Sequence, residues 1–481
     1  MIVKPQSTFK EQTQNAENYK QHNQKMLELE NMYPKNAKVN ERLKMLIDPN
    51  SFFLELSRHA GHELYDFPTP GAGILTGIGQ VAGRACMILI NNPELKAGCY
   101  YPATIEKTIR ALKIAQSYRL PCLHLVDSGG AFLPMQADLF ASENGFGSIF
   151  YEQAKLSALG ILQYAVILRP CTAGGAYIPV MADSCAMVKD QAALFLAGPA
   201  LVNAATGEKL DTQSLGGSKV HCHQSGVVQQ EVMSEIEAIN WLRSKISLIK
   251  DKHIIEKVSE TDLDITKFIP SDPRFLPDIN GILSALLDSS EFDEYQASIA
   301  SNIRVGFGSI NSHNVGIVAN DGIMDSSSMI KANNFLIECN NIGLPVIFLH
   351  NTHGMMVGSH AEKSGIARHG ANLIKTITNL RVKKITIMIG NSYGAGNYAM
   401  SGRAFRPDFL FQWPNNKIAI MGPSQQEFVL RSLDKESKVD TYSHSAIYHS
   451  ARLRDDGIIM PNDTRKILSF ILNIGAKSDR V

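Results

Sequence analysis

The feature that most constrains the fold is an internal repeat. Four pairs of landmark residues recur at nearly one spacing, three pairs at 224 residues and one at 221: Pro121 with Pro345, Gly130 with Gly354, Pro199 with Pro423, and Tyr177 with Tyr398. Chance rarely holds four landmarks so close to one offset, so we expect two domains of one fold that arose by duplication. A polar segment with clustered prolines, 250–278, is the candidate linker, and the predicted domains are 1–260 and 261–481.

The second feature is an apolar run that leads into residues almost without side chains. The run 161–168 is typical of a buried strand, and Ala173, Gly174, Gly175 and Ala176 follow it, before apolar residues that suit a helix. Backbone N–H groups at a helix start have no helical partner, and a ligand oxygen can approach them where side chains are absent. The pattern therefore predicts an oxyanion hole. A tight strand–helix turn with glycines for packing is the alternative.

A second turn of this kind occurs in the other half. Gly394, Ala395 and Gly396 follow the apolar run 385–389. Repetition of strand, turn and helix is typical of an α/β protein, and two matched holes indicate two carbonyl oxygens to be stabilised. Ser128 precedes two glycines and could be the nucleophile of a hydrolase, but the sequence identifies no His or Asp partner for it.

Composition narrows the class of function. The formal net charge of +1 gives no basic footprint for nucleic acid, no run approaches the roughly 18 apolar residues of a membrane span, and the N-terminus lacks a signal-peptide core. Seven cysteines without C-x-x-C indicate a reduced, soluble, intracellular protein. At His221-Cys222-His223 a turn is favoured over zinc, so no metal site is predicted. Residues 1–45 suggest an amphipathic helical arm on the surface or on a neighbouring subunit.

Seven motifs carry a resemblance to a known family. They are V-D-S-G-G-A-x-L-P-x-Q-A-D, F-G-x-I-F-Y-x-Q-A, C-T-A-G-G-A-Y-x-P, G-G-x-x-V-H-C-x-x-S-G-V, G-I-A-x-x-G-A, G-A-G-N-Y-x-M-x-G-R-A-F and S-A-R-L-x-D-D-G-I-I-x-P-x-D-T-R. From about Leu43 to its C-terminus the chain resembles the carboxyltransferase (β) subunit of biotin-dependent acyl-CoA carboxylases. It is most similar to the methylcrotonoyl-CoA carboxylase β subunit, and propionyl-CoA carboxylase is more distant.

The resemblance implies two crotonase-like α/β domains, a site between domains of different subunits, and a homohexameric core. It implies transfer of CO2 from carboxybiotin to an acyl-CoA, with 3-methylcrotonoyl-CoA as the first expectation. Geranyl-CoA, propionyl-CoA and a catalytically impaired scaffold protein are the alternatives. No A-M-K-M signature occurs in the sequence, so the biotin is expected on a partner α subunit and no cofactor is bound covalently. The expected compartment is the cytoplasm, or the mitochondrial matrix in a eukaryote.

The resemblance also implies roles for individual residues. The N-terminal domain takes the acyl-CoA side, with the N–H groups of Gly174, Gly175 and Ala176 on the thioester oxygen. The C-terminal domain takes the biotin side, with those of Gly394, Ala395 and Gly396 on the ureido oxygen. Further substrate contacts are expected from a third group: Gly129, Gly130, Ala131, Phe146, Tyr177 and Tyr398. For Lys96 and Lys331 a structural role is favoured over catalysis.

Several positions depart from the family pattern. Met135 stands where the family usually has Arg, and Thr352, His353 and Met355 alter the N-I-T-G-F-M-V-G segment. The segments before Leu43 and between Met421-Gly422 and Ser450 are shortened. These departures leave two alternatives open, an altered acyl pocket and a scaffolding paralogue.

Overall fold

The computed structural model describes residues 1–32, 37–250, 258–272, 275–432 and 440–475. The chain forms two compact units. One consists of Met1–Met32, Lys257–Ser450 and Arg454–Asn473, and the other consists of Tyr33–Glu256, Ala451–Leu453 and Ile474–Val481. The change of unit at 256–257 lies beside the expected boundary at 260, whereas the N-terminal arm belongs to the unit that the second half of the chain forms.

The arm is a helix, α1 (Phe9–Met32). Thr8 and Glu11 form a reciprocal cap at its start: the Thr8 N–H donates to the Glu11 carboxylate at 2.7 Å, and the Glu11 N–H donates to the Thr8 hydroxyl at 3.3 Å. Tyr19 is buried, and its hydroxyl donates to Asn415 at 2.9 Å. The arm is therefore bound to its own unit along one face.

The first half of the chain forms a seven-stranded sheet. The strands of this half, including two outside the sheet, are β1 (Phe53–Leu56), β2 (Ile74–Val81), β3 (Arg84–Asn91), β4 (Cys122–Val126), β5 (Gln163–Ile167), β6 (Pro170–Thr172), β7 (Ser184–Val188), β8 (Ala193–Phe195) and β9 (Gln230–Val232). The order in the sheet is β1-β2-β3-β4-β5-β7-β9, and β6 pairs with β8. β1 to β3 are antiparallel, and the remaining neighbours in the sheet are parallel.

Helices cover this sheet. They are α2 (Ala37–Leu46), α3 (Pro102–Tyr118), α4 (Gln136–Leu139), α5 (Gly147–Ala158), α6 (Tyr177–Val180), α7 (Pro199–Thr206), α8 (Thr212–Gly216), α9 (Ser218–His223) and α10 (Glu235–Ser247). All five residues of β4 are buried, as is typical of a parallel strand with both faces covered.

The second half of the chain has a similar arrangement of strands and helices. Its strands are β10 (Asp293–Glu294), β11 (Ile303–Ile310), β12 (His313–Asn320), β13 (Gly322–Met324), β14 (Val346–Met355), β15 (Lys384–Tyr393), β16 (Phe409–Gln412) and β17 (Lys417–Ala419). The order is β10-β11-β12-β14-β15-β16, with β13 against β14 and β17 against β15. The helices are α11 (Ile279–Leu286), α12 (Ser326–Ile342), α13 (Ser359–Lys363), α14 (Ile366–Asn379), α15 (Gly396–Ala399), α16 (Pro423–Ser432), α17 (Ala446–Ala451) and α18 (Thr464–Gly475).

Strand register shows the duplication residue by residue. The hairpin β2–β3 pairs from Ile74↔Asn91 to Val81↔Arg84, and β11–β12 pairs from Ile303↔Asn320 to Ile310↔His313. The next strand is parallel in both halves, and its pairing with the hairpin begins one residue after the same proline landmark. The hairpin and the parallel strand beside it are therefore paired in the same way in the two sheets.

In both hairpins an aspartate carboxylate accepts hydrogen bonds from the N–H groups of the turn. Ala82 and Gly83 have φ of 48° and 79°, the positive values that a two-residue type I′ turn requires. The Asp48 carboxylate accepts from both of their N–H groups, at 2.9 and 2.7 Å. In the second half Asp288 accepts from the N–H groups of the corresponding turn at 3.0 and 2.9 Å. One carboxylate thus satisfies each turn.

The second half has a continuous apolar core under its sheet. Phe335, Leu336, Phe348, Leu373 and Ile377 belong to it, and each is fully buried. Among the described residues, no helix combines the length and the apolar character that crossing a membrane requires.

Candidate active site

The first small-residue turn lies where the sequence predicts it. The chain leaves β6 at Thr172 and enters a 3₁₀ turn, Ala173–Ala176, which continues into α6. Ala173 has a φ of 51°, and no side chain caps the turn. The N–H groups at its start are therefore left to a ligand or to water.

The geometry distinguishes among the N–H groups of this turn. In a 3₁₀ turn each N–H points at the carbonyl three residues earlier, and the Tyr177 N–H donates to the Gly174 carbonyl in this way. The same repeat directs the Gly175 and Ala176 N–H groups at carbonyls within the turn. Gly174, at the start, precedes the repeat, so its N–H is the one best placed for a substrate oxygen.

An aromatic row flanks the turn. A Cβ at Gly174 would lie 3.1 Å from the Phe146 ring, so only glycine fits there without displacing it. From Phe146 the row continues to Phe150 at 5.6 Å between ring centroids, and from Phe150 to Tyr177 at 5.5 Å. Tyr177 is 45% exposed. The structure therefore brings the expected residues Phe146 and Tyr177 to the first turn.

The glycines after β4 form the wall beside this turn. The Gly129 N–H donates to Ala97 at 2.8 Å, and the Thr172 hydroxyl donates to the Gly129 carbonyl at 2.7 Å. Gly130 has a φ of 85°, and a Cβ there would lie 2.8 Å from the Thr172 carbonyl oxygen. Ala131 bridges to Tyr100. The N–H groups of the two glycines are engaged in the fold, so they are not available to donate to a ligand.

Ser128 is not arranged as a nucleophile. It is fully buried, and its hydroxyl accepts from the Gly130 N–H at 3.1 Å. The bond is to backbone and not to an imidazole, so the hydrolase alternative has no support at this position.

The second turn differs from the first in its backbone. After β15, Gly394 has a φ of 54°, and its N–H donates to Ala419 at 3.0 Å. The N–H groups of Asn397 and Tyr398 donate back to the carbonyls of Gly394 and Ala395, at 3.1 Å each. Among the described residues, no backbone acceptor is recorded for the N–H groups of Ala395 and Gly396. These two are the candidate donors of the second turn.

A cavity of about 430 Å³ opens at the second turn. Apolar side chains of Met388, Ile418 and Ile420 line it together with Tyr398, and the Tyr398 ring packs on Phe405 at 5.7 Å between centroids. The structure therefore places the expected contact Tyr398 at this turn.

Two arginines that the motif analysis did not single out also line this cavity. Arg403 is paired with the buried carboxylate of Asp456 at 2.9 Å. Arg454 donates to Nδ1 of His449 at 3.0 Å, and Nε2 of the same ring lies 3.0 Å from the Ile418 carbonyl. Because a guanidinium only donates, Nδ1 must accept, and His449 is neutral with its proton on Nε2. Among the described residues no carboxylate pairs with Arg454, whose charge thus faces the cavity.

The expectation that the chain has no G-x-S-x-G elbow is wrong, because one lies directly before the second turn. Residues 390–394 have the sequence G-N-S-Y-G, the G-x-S-x-G pattern of hydrolases. Ser392 is fully buried and accepts from the Asn397 side-chain amide at 2.7 Å. This contact holds the start of the second turn and supplies no base.

Three of the four positions that depart from the family pattern, Thr352, His353 and Met355, lie at the end of β14, whereas Met135 lies in the first half of the chain. A Cβ at Gly396 would lie 2.5 Å from the Thr352 hydroxyl. The Asn391 amide contacts Nε2 of His353 at 2.7 Å, and Met355 packs against the core of its half. Thr352 and His353 therefore neighbour the turn expected to serve biotin and not the one expected to serve acyl-CoA.

The lysines have structural contacts. Lys331 is buried, and its ammonium donates to the carbonyls of Ile299 and Ile303 at 2.9 and 3.1 Å. Lys107, 224 residues earlier, is also buried and donates to Gly71 at 3.0 Å. Burial lowers the pKa of Lys107 to about 8. The ammonium of Lys96 lies 5.8 Å from the centroid of the Phe67 ring.

The structure has two matched α/β halves, and in each half a strand leads into a small-residue turn with N–H groups that lack a side-chain cap. The chain matches the carboxyl transferase domain family over residues 33–480, and it belongs to that family. It is thus a carboxyltransferase of the biotin-dependent acyl-CoA carboxylase type, with the crotonase-like fold that the motifs indicate.

Individual relatives agree with this assignment. The chain is 43% identical over 467 residues to the mitochondrial methylcrotonoyl-CoA carboxylase beta chain of Arabidopsis thaliana, covering 90% of this chain and 80% of the relative. It is 40% identical over 464 residues to the biotin-dependent 3-methylcrotonyl-coenzyme A carboxylase beta1 subunit of Mycobacterium tuberculosis, covering 91% and 88%. The geranyl-CoA carboxylase beta subunit of P. aeruginosa superposes with a TM-score of 0.90 at 32% identity, covering 97% and 95%.

Proposed function

We propose that this chain transfers the carboxyl group of carboxybiotin to 3-methylcrotonoyl-CoA. The observation that carries the proposal is the matched pair of small-residue turns, one in each half, in which the N–H groups of Gly174, Ala395 and Gly396 are the candidate donors to ligand oxygens. The relatives at 43% and 40% identity bear methylcrotonoyl-CoA in their names, which favours this acyl group. Geranyl-CoA is the second candidate, because the superposing structure is a geranyl-CoA carboxylase subunit.

The first turn is proposed to hold the thioester. Loss of the γ-proton, which conjugation makes acidic, to the ureido group of the biotin that gives up its carboxyl group would place negative charge on the thioester oxygen. An N–H that is already oriented stabilises this charge more in the transition state than in the ground state. Gly174 is the leading donor, and Gly175 and Ala176 keep the approach free of side chains. Phe146 and Tyr177 would contact the acyl group.

The second turn fits the ureido group of biotin. Its cavity of about 430 Å³ is partly apolar, as the ring system requires, and Ala395 is among the residues that line it. Carboxybiotin supplies the carboxyl group when it is bound. This chain's residues would orient the ureido oxygen with the N–H groups of Ala395 and Gly396, while Gly394 sets the turn. The charge of Arg454 would favour anionic ligands in the same cavity.

The chain is proposed to act with a biotin-carrying α subunit and as a homohexamer whose active sites combine domains of different subunits. Two helices support self-association. α7 and α16 begin at the repeated prolines, and neither has a buried residue. Leu201 on α7 is 62% exposed and Phe428 on α16 is 75% exposed. Exposed apolar groups at equivalent places in both halves are typical of subunit contacts.

The proposed compartment is reducing, either the cytoplasm or the mitochondrial matrix. All seven cysteines are free in the structure, and the Arabidopsis relative is named as mitochondrial. Free thiols persist in such compartments.

An acyl-CoA panel tests the proposal. The chain, assembled with its biotin-carrying subunit, is given ATP, radiolabelled bicarbonate and 3-methylcrotonoyl-, geranyl- or propionyl-CoA. Incorporation into acid-stable product should be highest with 3-methylcrotonoyl-CoA and should vanish without the partner. A higher kcat/KM for geranyl-CoA would reassign the acyl group. If the assembled complex shows no turnover with any acyl-CoA, the chain would be a catalytically impaired scaffold protein.

A further inference from the structure

A second cavity lies under the arm, beside α1. Its volume is about 280 Å³. Polar side chains dominate the lining, and no carboxylate occurs among the described residues that form it: they include Asn18, Gln21, His22, Asn351, Asn415 and Lys417. None of the residues assigned to the two turns lines this cavity.

Asn351 is among the residues that line the cavity, and its amide nitrogen lacks a partner among the described residues. Asn351 is 2% exposed, and its side-chain oxygen accepts from the Asn391 N–H at 2.9 Å. Because a buried N–H group without an acceptor is destabilising, the cavity is suited to an occupant that carries an acceptor oxygen.

The cavity is also electropositive. Lys417 lines it, and among the described residues no carboxylate pairs with this ammonium group. Burial and the positive charges of Lys25 and Lys417 lower the pKa of His22, which lines the arm side of the cavity. An electropositive cavity without a carboxylate favours an anion.

We propose that this cavity binds a small oxyanion, with Asn351 Nδ2 and Lys417 Nζ as its donors. The volume of about 280 Å³ accommodates such an ion together with several waters. Lys417 begins β17, whose Ala419 carbonyl accepts the Gly394 N–H. A bound oxyanion would therefore link the arm to the strand that supports the second turn.

Anomalous diffraction from crystals soaked in selenate tests the site. The expected result is a selenium peak within hydrogen-bonding distance of Asn351 Nδ2 and Lys417 Nζ. Ordered water alone at that place would overturn the proposal. Thermal unfolding in sulfate, phosphate or acetate, at one ionic strength set with chloride, gives a second measurement. A saturable rise in Tm is expected, and the three ions separate tetrahedral oxyanions from carboxylates.

Three variants complete the test. Lys417→Met should abolish the selenium peak and the saturable rise in Tm. Lys20→Met, on the exposed face of α1, removes the same charge and should retain both. Asn351→Asp keeps the acceptor for Asn391 but repels an anion, so it should also lose the peak. Equal stabilisation by sulfate in the Lys417 and Lys20 variants, or selenate retained in the Asn351 variant, would contradict the proposal.

Discussion

The hydroxyl of Ser128 accepts a hydrogen bond from the N–H of Gly130 at 3.1 Å. In the second half, the hydroxyl of Thr352 accepts from the N–H of Gly354 at the same distance. Both glycines have positive φ, 85° and 107°, where a side chain would be strained. The duplicated fold thus keeps one hydroxyl in each half as a backbone acceptor.

Removal of these hydroxyls should affect stability more than chemistry. Gly130 is buried, so Ser128→Ala leaves its N–H unpaired, at about 1–3 kcal/mol of unfolding free energy. Gly354 is partly exposed, so water can replace the hydroxyl, and Thr352→Val should cost less. Denaturant unfolding and carboxylation by the assembled enzyme measure the two effects. Abolished turnover in a correctly assembled Ser128→Ala enzyme would restore the nucleophile hypothesis.

A large side chain in the first turn should strongly slow carboxylation. A Cβ at Gly175 would lie 3.5 Å from the Cys171 sulfur and from the Gly130 Cα atom, so the branches of valine have no room. Gly175→Val should displace the turn and lower kcat/KM on the order of 100- to 1000-fold, the typical effect of losing one oxyanion-hole donor.

Gly147→Val is the matched control for this experiment. Gly147 starts α5, and a Cβ there would have no atom within 4 Å. Steady-state carboxylation should be unchanged in the control, with both variants first shown to assemble. Equal activities of the Gly175 and Gly147 variants would exclude the first turn from catalysis.

Asp455 should make stability depend on pH. It is fully buried, and burial raises its pKa to about 7, while hydrogen bonds from Ser450 and Gln412 oppose the rise. The unfolded chain loses this proton near pH 3.9, so between about pH 4 and pH 7 the folded state binds more protons. The stabilising contribution is complete below pH 4 and is lost as the pH rises through 7.

Asp455→Asn removes this dependence, because the amide imitates the protonated carboxyl and does not titrate. Relative to the variant, the wild-type protein should lose on the order of 1–3 kcal/mol between pH 5 and pH 8. Thermal unfolding of both proteins across this range measures the difference. A constant difference in Tm at all pH values would show that Asp455 is ionised throughout.

The sequence repeat predicted the α/β class, the duplication and both small-residue turns. These features depend on local patterns: apolar runs, residues without side chains, and constant offsets. The pattern could not show which N–H groups remain free. Gly394 is engaged because Ala419 lies beside it, and Gly174 is favoured because the turn is 3₁₀. Both facts depend on backbone pairing and not on residue type.

Contacts between residues that are far apart in the sequence could not be predicted from the sequence either. His449 and Arg454 line the cavity at the second turn, and the His449 ring contacts the Ile418 carbonyl of β17. His353 was expected in an altered acyl pocket, yet it contacts Asn391, 38 residues away. The paired carboxylates Asp48 and Asp288 do not stand at the repeat offset, because insertions before the hairpins shift their spacing, so the repeat could not reveal their common role.

The two turns are proposed to serve different partners, and Ala395→Val separates their roles. In the assembled enzyme, the Kd for 3-methylcrotonoyl-CoA and the rate of carboxylation are measured together. The Kd should be unchanged and the rate should fall on the order of 100- to 1000-fold, because valine obstructs only the biotin side. Loss of acyl-CoA affinity in this variant would place acyl-CoA at the second turn, and a rate equal to that of the wild type would exclude this turn from catalysis.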